Sequence, residues 1–132
     1  LEVISGLDIS TDVFGGGELS YITIETDGSY HTSDILKTTY EGASKIGLTL
    51  FESSIEDVFS SKEFIKYNTL LNESNLSELC QKCDELAYCK GGCLSHRYSN
   101  KNDFNNPSVY CNEMNLLIKH ARKRLMDAIH QQ

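Results

Sequence analysis

CQKCDELAYCKGGC, residues 80–93, sets four thiols at gaps of two, five and three residues, and a fifth follows at Cys111. All five cysteines of the 132-residue chain lie between positions 80 and 111, and the first 79 residues contain none. Such clustering is local chemistry. A disulfide framework spreads an even number of cysteines through a small exported chain. Here the number is odd and no signal-peptide-like stretch opens the sequence. Thiolates on metal in a reducing cytoplasm fit the pattern better.

The candidate ligands Cys80, Cys83, Cys89, Cys93 and Cys111 outnumber the four that one tetrahedral ion needs. Zinc is satisfied by four thiolates, and Cys80-x2-Cys83 has knuckle-like spacing. An iron–sulfur cluster also takes four thiolates but spreads them round a wider object, which suits the longer, uneven gaps. The spacing leaves both open. Gly91-Gly92 gives the backbone freedom to wrap an inorganic core. The segment has mixed polarity and no sustained period, so a metal-organised loop is expected, with too few apolar residues to order itself.

Upstream, LSYITIET (19–26) alternates like a strand with Leu19, Tyr21 and Ile24 inward, and Asp27-Gly28 is a hairpin turn signal. The returning arm is expected over Ser29–Leu36, and Lys37–Thr49 as ordered loop or a turn of helix. Hydroxyl-to-carboxylate spacings at Ser53–Glu56 and Ser60–Glu63 mark helix starts, giving a short helix near 54–59 and a longer one near 61–71, with Phe64, Ile65 and Leu71 partly inward. Downstream, Met114, Leu117, Ile118, Ala121, Leu125, Ala128 and Ile129 fall at helical spacing, so Asn112–Ile129 is an amphipathic helix. Its basic residues Lys119, Arg122, Lys123 and Arg124 read as a solvated face. The fold class expected is α+β: a small domain with a β-hairpin, short helices, the cysteine-rich metal-organised loop and a C-terminal helix packed across them.

CQKCDELAYCKGGC, the later Cys111, and the upstream ETDGSYHTSD followed by KIG resemble the SPASM domain, the C-terminal extension of radical-SAM enzymes that modify peptides and proteins. The resemblance covers roughly 19–129. CKGGCLSHRYSN followed by FNNPSVYC looks closer to members that mature ribosomally made peptides. The resemblance implies that Cys80, Cys83, Cys89 and Cys111 ligate one auxiliary [4Fe–4S] cluster, while Cys93 matches a ligand that fuller members give to another. Ser33 and Glu52 stand where that other cluster's remaining cysteines belong, so one cluster is expected. The auxiliary cluster relays an electron or stabilises the architecture. The SAM-binding three-cysteine motif is absent, since no cysteine precedes Cys80. SAM therefore belongs to a preceding barrel, which becomes a partner together with a precursor peptide, and the fragment alone is expected to be inactive. On this reading residues 1–18 are a leading segment or linker from that barrel, and 19–132 are the auxiliary domain.

Other features have plainer readings. A formal net charge of −7 argues against general nucleic-acid binding, and no apolar run is long enough for a bilayer. No methionine precedes Leu1, giving the expectation of a piece of a longer protein. Gly15-Gly16-Gly17 lacks the Lys-Ser/Thr pair of a phosphate loop and reads as linker. Asp27 and Asp34 flank the hairpin without a nucleophile; Asp27 is a turn former, whereas Asp34 is a candidate contact to a neighbouring barrel or substrate. His96-Arg97-Tyr98 either tunes the centre from behind its ligands or caps the loop, and His96 is a poor ligand candidate while five thiols are present. Asn105-Asn106-Pro107 is a turn. A zinc-stabilised interaction module, held by four cysteines and without redox function, is the alternative reading.

Overall fold

In the computed structural model, residues 14–19 and 21–130 are described. Most of the expected leading segment, 1–13, lies outside them. The core is a three-stranded antiparallel sheet in the order β1 (Thr23–Ile24), β2 (Ser29–His31), β3 (Lys45–Thr49). The β1–β2 turn forms at Asp27-Gly28 as expected, with Asp27 Oδ1 accepting from the Ser29 amide at 2.9 Å and its hydroxyl at 2.6 Å. Those bonds, the hydroxyl's foremost, hold the Asp27 carboxyl below its usual range.

Two expectations change here. The returning arm ends at His31, and Asp34–Thr38 winds into a 3-10 turn. Lys45–Thr49, read as loop, is the third strand: Ile46 is buried and Leu48 packs into the same cluster, with Gly47 between them. Tyr21 and Ile24 are exposed, and Ile22 packs inward instead, because β1 is an edge strand with only β2 beside it.

The caps of helices α1 (Ile55–Phe59) and α2 (Lys62–Leu71) fall one residue beyond the expected ones. Ser54 forms a reciprocal capping box with Asp57, and Ser61 accepts from the Phe64 amide at 3.2 Å. On α2, Phe64 is buried and Leu71 packs partly inward as expected, while Ile65 is exposed and Tyr67 is buried in its stead. Phe64 joins Tyr30, Ile46 and Val58 in one apolar cluster, and Tyr67 joins Leu36, Ala43, Leu94 and Phe104 in the other. Leu19 packs against both.

The cysteine segment is more ordered than expected. It folds as α3 (Glu78–Gln81), α4 (Leu86–Cys89) and a 3-10 turn at Leu94–Arg97. It also contributes Leu94 and Phe104 to the core, with Phe104 edge-on to Tyr67 at a ring separation of 6.0 Å. Apolar packing thus shares in ordering this half. Helix α5 (Cys111–Ile129) forms over the expected range, but it packs against α4 rather than across the domain. Only Met114 and Ile118 are buried on it, Ala121 and Leu125 are half-buried, and Leu117 and Ile129 are exposed, because the helix runs past the body it rests on. Among the described residues no helix is long and apolar enough to cross a membrane.

Candidate metal centre

Three short elements present the thiols. Ser77 caps α3 by accepting from the Cys80 amide at 3.4 Å, which fixes the turn carrying Cys80. The Cys83 amide then donates to Cys80 O at 3.0 Å, so the Cys-x2-Cys pair closes one tight turn. Cys89 ends α4 and its amide donates to Glu85 O at 2.9 Å. Beyond it, Lys90, Gly91 and Gly92 all take positive φ, at 49°, 85° and 69°, and reverse the chain. A side chain at Gly91 would meet Leu76 Cδ2 at 2.5 Å, so glycine is required there by space as well as by backbone conformation. Cys111 opens α5.

The glycine run near the start of the described chain belongs to this region. Gly15 N–H donates to Cys89 O at 3.0 Å, and Gly92 N–H donates to the same carbonyl at 2.8 Å. A Cβ on Gly15 would stand 2.0 Å from Lys90 O, a backbone atom. Only glycine permits that approach. Gly15 is therefore docked on the cysteine turn and is not free linker.

Electrostatics group four of the five thiols. Burial pushes the Cys89 thiol above its ordinary range; a backbone hydrogen bond involving Gly91 pulls it down, while charge at Cys111, Cys80 and Cys83 pushes it further up. Burial likewise raises Cys111, with Cys80, Cys83 and Glu113 adding to it. The charges of Cys80, Cys83 and Cys111 thus act on Cys89, and those of Cys80 and Cys83 on Cys111. Cys93 is buried with its Sγ 3.3 Å from Ser95 Oγ. No group of three or more His, Cys, Asp or Glu side chains that could hold a metal ion is assembled among the described residues.

Three charged side chains lie on or next to the cysteine-bearing elements. Glu85 is buried, and Arg122 Nη1 donates to its Oε2 at 3.0 Å and Oε1 at 3.3 Å, with the guanidinium 5.0 Å from the Tyr88 ring centre. Against the expectation of a solvated face, Arg122 ties α5, which bears Cys111, to α4, which bears Cys89, while Lys119, Lys123 and Arg124 are exposed as expected. Arg97 is 2% exposed and donates through Nη1 to Leu70 O at 3.0 Å, but its Nε and Nη2 have no hydrogen-bond partner. Desolvation lowers its pKa, and the charge at Cys80 opposes that.

The remaining candidates have ordinary roles. His96 stacks edge-on to Tyr110 at 4.9 Å beside a cavity of about 240 Å³ also lined by Met114 and Leu117. Asn106 Nδ2 donates to Arg97 O, Ser99 Oγ and Asp103 O, which holds the turn before Cys111. Ser33 is buried with its Oγ 2.8 Å from Tyr21 OH, and Glu52 is exposed. Asp34 pairs with Lys37 at 2.7 Å on the surface.

No family model matches the sequence, and the comparison with curated proteins returns no match. Solved structures do match in fold. Native anSMEcpe with bound AdoMet superposes with a TM-score of 0.75 at 22% identity, over 99% of this chain and 34% of that one. The same protein with bound AdoMet and Kp18Cys peptide gives 0.75 at 21% identity over 99% and 34%. With Cp18Cys peptide it gives 0.72 at 21% identity over 98% and 34%. The chain spans about a third of the length of the solved chains it matches, and at this identity the likeness is one of fold.

Proposed function

We propose that the chain is the SPASM-type auxiliary domain of a radical-SAM enzyme that modifies ribosomally made peptides, and that Cys80, Cys83, Cys89 and Cys111 ligate one [4Fe–4S] cluster in it. The observation that carries the reading is the donor set: four soft thiols set on α3, the turn after it, the end of α4 and the start of α5. They are the four that the motif resemblance names. The fold shared with a third of anSMEcpe, which is solved with AdoMet and with peptides, supports the same parentage.

The donor chemistry suits such a group, while the side chains are not drawn together into a ready-made site among the described residues. The donor set is four soft thiolates on α3, the turn after it, α4 and the start of α5. The buried Arg97 guanidinium has two unused donors, and the charge at Cys80 opposes the lowering of its pKa by desolvation. A bound cluster supplies one-electron chemistry and cross-links the elements that hold it. With four thiolates on four irons no coordination position is left open for substrate, so electron relay or architecture is the role assigned. Ser77 and Glu85 hold the ligand turns in place, and Gly15 and Gly92 fix the Cys89 carbonyl. SAM cleavage is assigned to the partner barrel, joined through residues 1–18, and the precursor peptide to the assembled enzyme. The setting is cytoplasmic.

Anaerobic reconstitution with iron and sulfide, followed by metal and sulfide analysis and EPR of the reduced protein, tests this. About four irons and four sulfides per chain are expected, lost on serine replacement at Cys80, Cys83, Cys89 or Cys111 and retained in Cys93→Ser. Stoichiometric zinc in protein made with iron present, without any cluster signal, would replace this reading with the zinc-stabilised interaction module.

A further inference from the structure

Strand β1 forms one side of the sheet, and its outer edge is open. The Glu25 amide donates to Ser29 O at 3.0 Å, so Glu25 and Ser29 form a hydrogen-bonded pair, and Thr23 and His31 form the next. The alternate residues, Ile22 and Ile24, therefore turn their N–H and C=O groups away from β2. Those groups have no hydrogen-bond partner among the described residues. The opposite edge is blunted: β3 shifts register against β2 between Ser29 and His31, Gly47 takes a φ of 84°, and Lys45 is exposed at its start. β1 has instead the run Ile22-Thr23-Ile24, free of lysine and proline, with Ile24 49% exposed. Charge narrows what can cover it. From Phe14 to Leu36 the chain bears Glu18, Glu25, Asp27 and Asp34 and no lysine or arginine. Among the described residues only Lys37 is ion-paired to that stretch, through Glu25 and Asp34. An extended backbone completes such an edge, and these carboxylates favour a cationic one; a second copy would set like charges side by side.

We propose that the free edge of β1 is a strand-addition site, at which an extended peptide rich in lysine or arginine pairs with Ile22 and Ile24 as a fourth strand. Its side chains alternate between the face of Ile24, which suits apolar groups, and the face of Glu25, which suits cations. The inference rests on the reading above for its occupant, the precursor peptide, and names a place on this domain where that peptide is held.

Amide exchange followed by NMR tests this on the full 132-residue chain, before and after the anaerobic reconstitution described above, with the capped hexapeptide Lys-Val-Thr-Val-Lys-Val as probe. Exchange at Ile22 and Ile24 is expected to slow about tenfold at saturating peptide, while Gly47 on the opposite edge stays as it was. The protection should weaken at about 0.5 M salt. Ile24→Pro removes the outward N–H without breaking a bond to β2, so it should abolish binding and leave the β2–β3 amides protected. Should that variant not fold, the wild type decides with the hexapeptide N-methylated at every residue: it offers no backbone donor and should not bind, and equal binding overturns the proposal. Unchanged exchange at Ile22 and Ile24, or equal protection by the hexapeptide with glutamate in place of lysine, overturns it and leaves the cluster assignment standing. Protection that rises with protein concentration in the absence of peptide also overturns it, because a second copy then holds the edge. Peptide-dependent protection in a chain that takes up no iron and sulfide upholds the strand addition and fails the cluster assignment alone.

Discussion

Removing Arg122 should loosen the joint between the helices that bear Cys89 and Cys111. The Glu85 side chain is 4% exposed and that of Arg122 is 44% exposed, so the pair lies between two regimes. Fully exposed pairs contribute roughly 0.2–1 kcal/mol, while breaking a buried pair costs about 3–5 kcal/mol because a charge is left behind. Arg122→Ala leaves the buried carboxylate and keeps only water on one side, and it also removes the contact with Tyr88, worth about 0.5–1 kcal/mol at a partly exposed site. A loss of ~2 kcal/mol follows. With a urea m-value of about 1.5 kcal/mol/M, the midpoint of the reduced, metal-free chain should fall by roughly 1.3 M. Glu85→Gln in the same background should recover about 1 kcal/mol, since it removes the stranded charge. Arg122→Ala unfolding within about 0.3 kcal/mol of wild type at both low and high salt would refute the assignment of this pair as the joint.

Three further outcomes can be checked on the same material. Gly91→Ala places a methyl against Leu76 at a positive-φ position, so it should cost about 1–2 kcal/mol and lower cluster yield, read by urea unfolding and iron content. Gly15→Ala should detach that residue from the Cys89–Gly92 turn, seen as faster amide exchange at Gly15. Because burial, aided by neighbouring thiolate charge, raises Cys89 and Cys111, the metal-free chain should be fully stable below the ordinary thiol value of about 8.5 and lose stability as pH rises through the higher folded values, whereas Cys89→Ser should flatten that decline.

What the sequence disclosed was governed by how local the cause is. Ser54 and Ser61 mark helix starts because the cap acts on amides three residues away, so the two helices were legible to within a residue. The Asp27-Gly28 turn was legible for the same reason, and so was the spacing that separates the cysteine window from the rest. β3 was missed because Gly47 interrupts a strand with only Ile46 and Leu48 to signal it, and its pairing with β2 is the actual cause. Tyr67 and not Ile65 completes the inward face of α2 because Tyr67 packs with Phe104 and Leu94, which periodicity does not foresee. Arg97 and Arg122 were noted in the sequence, but their partners were not legible, since Arg97 meets Leu70 across 27 positions and Glu85 meets Arg122 across 37. A buried arginine and a solvated one have the same letter.

The overhang of α5 makes this domain easy to instrument. Nineteen residues of helix extend about 28 Å at 1.5 Å per residue, and past Arg122 the side chains of Met126 and Ile129 face water. A fluorophore on Asp127 would stand about 24 Å along the axis from Cys111, clear of every ligand turn yet rigidly tied to one of them. A cluster of the kind proposed would accept energy from such a dye and quench it, so the helix that carries Cys111 would serve as an optical gauge of loading.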